Sequence, residues 1–231
     1  YEISCSLVGS EMCIRDSVEG LDAGRKVAIM ASIAFHSRVV FFNVHTEGIT
    51  KITARDIAYA KEFDSVIKLL GVARCQEDGV EAYVCPMLIP AEHPLASVND
   101  SYNAVFVHGD AVGDTMFYGR GAGELPTASA VAGDVFEVVR NMKADCCGRV
   151  GCTCYKTLPV KAMADTHNRY FLRLQVEDRC GVLAEILEHF AKYQASVAQI
   201  MQKESKRPDT AEVVVITKLV SEGAFLKVKE E

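Results

Sequence analysis

Residues 65–90 constrain this chain more than any other stretch. SVIKLLGVARCQ at 65–76 and VEAYVCPMLIP at 80–90 are two long apolar runs around the turn Glu77-Asp78-Gly79. Short turn signals between such runs predict a β-hairpin. A lone hairpin is marginal in water, so it must belong to a larger sheet. Two more strands are expected at NAVFVHGD and TMFYGRG, around Gly113-Asp114. The sheet should therefore be mainly antiparallel and include 66–76, 80–89 and 102–109.

Helices alternate with these strands. GLDAGRKVAIMASIAFHS has no proline, and Val27, Ala31 and Ala34 recur on one face, which predicts a helix over about 21–36. TARDIAYAKEF opens on the cap candidate Thr53. ELPTASAVAGDVFEVVRNM reads as a long helix with Pro126 in its first turn, where proline is tolerated.

The pattern changes after residue 145. Residues 146–167 are rich in Gly, Cys and Lys and read as a linker. Beyond them RYFLRLQV alternates as a strand, GVLAEILEHFAKY is an amphipathic helix, and SVAQIMQK and AEVVVITKL are strands around a polar loop. SEGAFLKVKEE begins another helix. Residues 1–17, YEISCSLVGSEMCIRDS, stand apart. They read as a non-native leader resembling translated sequencing adaptor, outside the fold. The expected division is a leader at 1–17, a catalytic-type domain at 18–145, a Cys-rich linker at 146–167 and a small domain at 168–231 that lacks its last strand.

Composition excludes some functions. The net charge is -6 with no basic stripe, so nucleic acid is not an expected partner. No apolar run approaches the ~18–20 residues of a spanning helix, and the first residues lack the pattern of a signal peptide. Nine cysteines without a secretory signal read as cytoplasmic thiols. The cluster Cys146, Cys147, Cys152 and Cys154 has four soft thiolates, which suit zinc, but not the spacing of common zinc ribbons. Reduced linker thiols are the expected state, with no metal. His93 reads as structural, and His36, His45 and His108 have no partner at ligand spacing.

Asp22 and Lys26 are four residues apart, which on a helix puts them on one face. By spacing alone they are a surface pair worth a few tenths of a kcal/mol. Gly119, Gly121 and Gly123 form a turn directly before a helix, open to a ligand's close approach or simply a connection. Asp178, Gly181, Val182 and Leu183 join a strand to a helix start, where backbone N–H groups can hold a carboxylate.

VEGLDAGRKVAI, IPAEHPLASVNDSYNAVFVHGDAVGDTMFYGRGAGELPTASAVAGD and RYFLRLQVEDRCGVLAEI carry a further signal. The first two segments resemble the catalytic domain of the homoserine dehydrogenase family, and the third resembles the opening of an ACT domain. The resemblance implies an α/β protein: an α+β catalytic domain with a mainly antiparallel sheet, followed by a ferredoxin-like ACT domain. It implies interconversion of L-homoserine and L-aspartate 4-semialdehyde with NAD(P), in threonine, methionine and isoleucine biosynthesis. Lys26 then takes the proton-transfer role. Asp22 binds substrate, as does Glu11, which falls in the register of a further family glutamate although its neighbours differ. Gly119, Gly121 and Gly123 lie against the cofactor. The turn with Asp178, Gly181, Val182 and Leu183 binds an amino-acid effector, L-threonine first, in a homo-oligomer. Cys180 stands where the family has proline. The chain has no strand–GxGxxG–helix unit, so the family's Rossmann domain is not within it. The alternative is a regulatory amino-acid-binding protein without catalysis.

Overall fold

The computed structural model describes residues 2–7, 14–146, 148, 151–204 and 207–230. Two compact units divide the chain at Val160/Lys161.

The first unit holds β1 (Glu2–Leu7), α1 (Ile14–Val18), α2 (Leu21–Phe35), β2 (His45–Thr46), α3 (Ala54–Glu62), β3 (Ser65–Gln76), β4 (Gly79–Pro90), β5 (Tyr102–Gly109), β6 (Gly113–Arg120) and α4 (Glu124–Lys143). Its six-stranded sheet runs β2-β4-β3-β1-β5-β6. All pairs are antiparallel except β2 with β4. The expected hairpin forms over its whole length, from Gln76↔Gly79 to Ser65↔Pro90. Its apolar runs are nearly continuous because both faces are covered. Ala73 and Val84 pack against Ala23, Val27, Ala31 and Phe35 of α2. Leu70, Ile89 and Ala104 pack on the opposite side with Leu95 and Val98, from the short helical turn at Pro94–Ser97 and the residue after it. Fully burying a valine or leucine stabilises by about 1.5–3 kcal/mol, so these two layers hold the unit together.

Local signals set the helix ends. Thr53 and Asp56 form a capping box: the Thr53 side chain accepts from the Asp56 backbone, and the Asp56 carboxylate accepts from the Thr53 N–H at 2.8 Å. Helix α2 starts at Gly20 in the left-handed conformation and ends at His36, also left-handed.

Two boundaries differ from the sequence reading. Residues 2–7 do not stand outside the fold: β1 lies between β3 and β5, with Glu2 opposite Arg74 and His108. Ile3, Cys5 and Leu7 alternate with Ser4 and Ser6, a period-2 pattern too short to set apart by eye. Helix α1 is tied onward by an Arg25–Asp16 ion pair at 3.1 Å. The second difference concerns the Cys-rich stretch. Residues 154–160 are not a free linker but a strap along the first unit. Lys156 N–H donates to His36 O at 2.8 Å, Leu158 N–H to Ser37 Oγ at 2.9 Å, and Val80 N–H to Pro159 O at 2.8 Å. The strap fits because Gly79, at φ 145°, has no side chain. A Cβ there would lie 2.6 Å from Pro159 O.

The second unit holds β7 (His167–Asn168), β8 (Phe171–Glu177), α5 (Val182–Lys192), β9 (Val197–Glu204), β10 (Thr210–Thr217), β11 (Val220–Ser221) and α6 (Glu222–Glu230). Its main sheet is antiparallel in the order β8-β10-β9. This is the strand order of a β-α-β-β-α-β unit with the place of a fourth strand at the free edge of β8. Phe190 of α5, Val213 and Val215 of β10, and Phe225 and Val228 of α6 form its core. Tyr170 stacks on Phe225 at 3.8 Å and donates its hydroxyl proton to Glu222.

Candidate active site

Helix α2 positions the first candidate pair. Ala23, Val27 and Ala31 are buried against the sheet, which turns Asp22 and Lys26 toward the flank of the helix. Lys26 Nζ lies 2.6 Å from Asp22 Oδ2, and both side chains remain partly exposed. The spacing thus becomes a real ion pair. The pair fixes the lysine's position.

The strand register places the glycine turn relative to this pair. A Cβ on Gly20, just before α2, would lie 3.2 Å from Val84 Cγ1, so α2 starts over the row of Val84 and Gly71. It ends toward Val80, where the strap is attached. Two residues beyond Val84 along β4, in the other direction, Pro86 pairs with Leu69, and one residue past the Ser6↔Leu70 pair, Leu7 pairs with Asn103 and Asn103 with Gly119. Gly121 follows two residues later, its N–H donating to Ser101 O at 3.2 Å. The glycine turn and the start of α2 therefore occupy the same end of the sheet. They also share a face, because Val105 and Val107 pack toward α2 and Asn103 has their parity in β5. Laterally β6 is three strands from β3, about 14 Å at ordinary strand spacing.

Asn103 is the residue that sequence reading passed over. Its amide lies against Gly121: a Cβ on Gly121 would be 1.5 Å from Asn103 Nδ2 and 2.5 Å from Cγ. Its Oδ1 is buried without a hydrogen-bond partner. The available signal was a polar residue at an inward position of an otherwise apolar strand. On the opposite face of the sheet, Tyr102 stacks on Tyr118 at 4.9 Å and Arg120 lies over the Tyr102 ring. Gly123, at φ 119°, precedes α4.

Glu11 lies outside the described residues. A shallow cleft beside the start of α2 is lined by Glu19, Leu21, Thr46, Glu47, Gly48, Thr50 and Lys51. Its carboxylates are paired, Glu19 with Arg15 and Glu47 with Lys51, each at 2.9 Å.

The comparisons with known proteins decide the family. The homoserine dehydrogenase family profile matches residues 10–136. The chain belongs to the homoserine dehydrogenase family. It is 47% identical over 206 residues to the homoserine dehydrogenase of Corynebacterium glutamicum, covering 87% of this chain and 45% of that protein. It is 40% identical over 211 residues to that of Bacillus subtilis, covering 90% and 48%. A solved homoserine dehydrogenase from Thiobacillus denitrificans superposes with TM-score 0.85 at 37% identity, over 95% of this chain and 50% of that one. The chain thus spans about half the length of the curated relatives it matches. For a homoserine dehydrogenase, the mixed helix and strand content and mostly antiparallel sheets are those of the solved relatives.

In the second unit of this homoserine dehydrogenase family member, Gly181 caps α5 at φ 93°. Val182 is the first residue of α5, and Leu183 packs on the core. Asp178 N–H donates to Asp209 O at 3.0 Å. Arg179 clamps the turn, reaching Glu185 at 2.6 Å and Glu177 at 3.2 Å. The Arg179 guanidinium holds the Glu185 carboxyl below its ordinary range.

Among the described residues no three His, Cys, Asp or Glu side chains lie together as a metal site, and Cys147 lies outside them. Hydrogen bonding from the Cys154 backbone and side chain holds the Cys152 thiol below its ordinary value, and the same side-chain contact with Cys152 raises that of Cys154. Among the described residues no helix is long and apolar enough to cross a membrane.

Proposed function

We propose that this chain is the catalytic and carboxy-terminal part of an NAD(P)-dependent homoserine dehydrogenase, interconverting L-homoserine and L-aspartate 4-semialdehyde. The observation that carries the reading is the partly exposed Lys26–Asp22 ion pair at 2.6 Å, within a chain of this family. Family membership and this ion pair favour the enzyme over a non-catalytic amino-acid-binding protein.

The reaction asks two things of these residues: a proton moved at the carbinol oxygen, and a reacting carbon held in line. Lys26 stands where it can take the hydroxyl proton during oxidation and return it to the aldehyde oxygen during reduction. Asp22 positions Lys26 and can hold a polar group of the substrate. The turn from Gly119 to Gly123 suits the nicotinamide end of the cofactor. It carries no side chain at three positions and opens a 20-residue helix, and the buried, unpartnered Asn103 Oδ1 lies beside it. NAD(P), when bound, supplies the hydride acceptor or donor.

The second unit is the regulatory end in this reading. Its β8-β10-β9 sheet and its turn at Asp178, Gly181, Val182 and Leu183 support an ACT-type sensor with L-threonine as effector, in a homo-oligomer. Threonine regulates only if it binds one conformation better than another.

The test is made in the full-length enzyme. Lys26→Ala should lower kcat by roughly 100- to 10,000-fold, the usual worth of general acid–base assistance, while the protein remains folded. Unchanged kcat at saturating homoserine, with chemistry rate-limiting, overturns the role of Lys26. Threonine inhibition should vanish when the residues after 160 are removed; equal inhibition of both forms overturns the sensor.

A further inference from the structure

Cys152 and Cys154 stand two residues apart where the strap begins, within the first unit. Cys152 is exposed and Cys154 half-buried. The Cys154 backbone N–H and the Cys154 thiol both donate to Cys152 Sγ. The Cys154 thiol also lies 3.9 Å from Ser32 O on α2, and Tyr155 N–H donates to Thr153 O at 3.0 Å. The pair is therefore folded back on itself and set against a helix, not strung out along a free linker.

A disulfide requires its two Cα atoms to lie about 4.4–6.8 Å apart. Residues two apart span at most about 6.6–7.2 Å when fully extended, so slight bending is enough to satisfy that limit. The N–H bond from Cys154 to Cys152 Sγ supplies such a bend and makes the two sulfurs neighbours. The two thiols also differ in chemistry. The hydrogen bonds from Cys154 favour the anion of Cys152, while the thiol that donates, Cys154, keeps its proton more firmly. Arg38 favours the thiolate of both. The better anion is thus also the exposed sulfur, which is the arrangement of a reactive cysteine beside a resolving one. Cys180 is exposed too, but it has no cysteine within two residues.

We propose that Cys152 and Cys154 form a modification site, a dithiol that small-molecule disulfides of the glutathione class oxidise to a Cys152–Cys154 disulfide. The Cys152 thiolate attacks one sulfur of the small disulfide, whose S–S bond breaks. One small thiolate leaves and takes up the proton that Cys152 gave up, and a mixed disulfide stands on Cys152. The Cys154 sulfur, on losing its own proton, then attacks Cys152 Sγ. The mixed S–S bond breaks, and the second small thiolate leaves and takes up that proton. Two protein thiols are oxidised and one small disulfide is reduced to two thiols. Oxidation also removes the proton that Cys154 directs at Ser32 O, so the site lies at a contact between the strap and the helix that carries Asp22 and Lys26. The dehydrogenase reading plays no part in this chemistry.

The experiment treats the 231-residue chain with glutathione buffers of rising disulfide content. Samples are quenched in acid, remaining thiols are blocked with N-ethylmaleimide, and tryptic peptides are weighed by mass spectrometry. Cleavage after Arg149 and Lys156 releases a peptide, 150–156, whose cysteines are Cys152 and Cys154 alone. In the parent this peptide should become lighter by two hydrogens, with no glutathione attached. It should do so at least about tenfold faster than Cys180 acquires glutathione. In Cys154→Ser the reaction should stop at glutathione on Cys152, because no second sulfur resolves it. In Cys152→Ser, Cys154 should acquire glutathione at least about tenfold more slowly than Cys152 does in Cys154→Ser. A parent peptide that keeps glutathione on Cys152, or that is cross-linked to peptide 144–149 instead, overturns the proposal. So does oxidation no faster than that of Cys180. Equal rates at Cys152 and Cys154 in the two single variants would overturn the division into attacking and resolving sulfur.

Discussion

Single contacts decide the chemistry of this site, and Asn103 shows how. Its amide fills the space that any side chain at residue 121 would need. Gly121→Ala should therefore push the turn away, with an overpacking penalty of about 1–3 kcal/mol. The expected signature in the full-length enzyme is a raised KM for NAD(P) with a smaller change in the KM for homoserine. Adding Asn103→Ala frees the space, so the double variant should recover part of the loss. Additive damage from the two changes would show that they do not act on one contact. Asp22→Asn tests the ion pair in the same assay: without its carboxylate, Lys26 loses its anchor at 2.6 Å. Both kcat and the affinity for homoserine should fall, though less than kcat falls in Lys26→Ala. Neither the 2.6 Å pairing nor the Asn103–Gly121 contact could be read from spacing. The first was legible as a shared helix face, because four residues make about one turn. The second joins a strand to a turn across the β5–β6 ladder, and only pairing brings them together.

At the scale of elements, the strap and the α5 turn hold by different means. Ser37 is buried, and its hydroxyl accepts the Leu158 N–H at 2.9 Å. Ser37→Ala leaves that N–H unpaired, which costs about 1–3 kcal/mol. The strap should loosen, measured as a lower denaturation midpoint and as faster amide exchange at Leu158. An unchanged midpoint would show that water replaces the hydroxyl. The turn before α5 rests instead on an exposed ion pair. Arg179 lowers the Glu185 pKa, so the pair stabilises the fold above the unfolded glutamate range near ~4.3 and is lost as pH falls below it. Parent and Arg179→Ala should differ in thermal midpoint at pH 7 and converge near pH 3. Persistence of the difference in acid would assign the effect to packing of the arginine. Most elements were legible beforehand: the hairpin from its turn, α3 from Thr53, and α4 from its proline and length. The strap was not, since its order comes from bonds to His36, Ser37 and Val80, more than 70 residues away in the chain for each contact.

At the scale of the molecule, the amino-acid sequence by itself determined the family, the two-part organisation and the residue types available at the candidate site. It did so because turns, caps and hydrophobic periods are local, and because motifs such as GLDAGRK and GAGELPTASAV need no partner to be recognised. Tertiary structure alone decided which residues meet. It inserted residues 2–7 between β3 and β5, where pairing depends on backbone groups that every residue carries. It bound residues 154–160 to the first unit through a hydroxyl and a missing side chain, Ser37 and Gly79. It brought the start of α2 and the glycine turn to one face and one end of the sheet, by a register set across five strands. It also left α4 with its apolar face bare, a fact of burial that no period in the sequence can reveal. The periodicity of a helix says which face seeks a core; only the folded chain says whether that core is present.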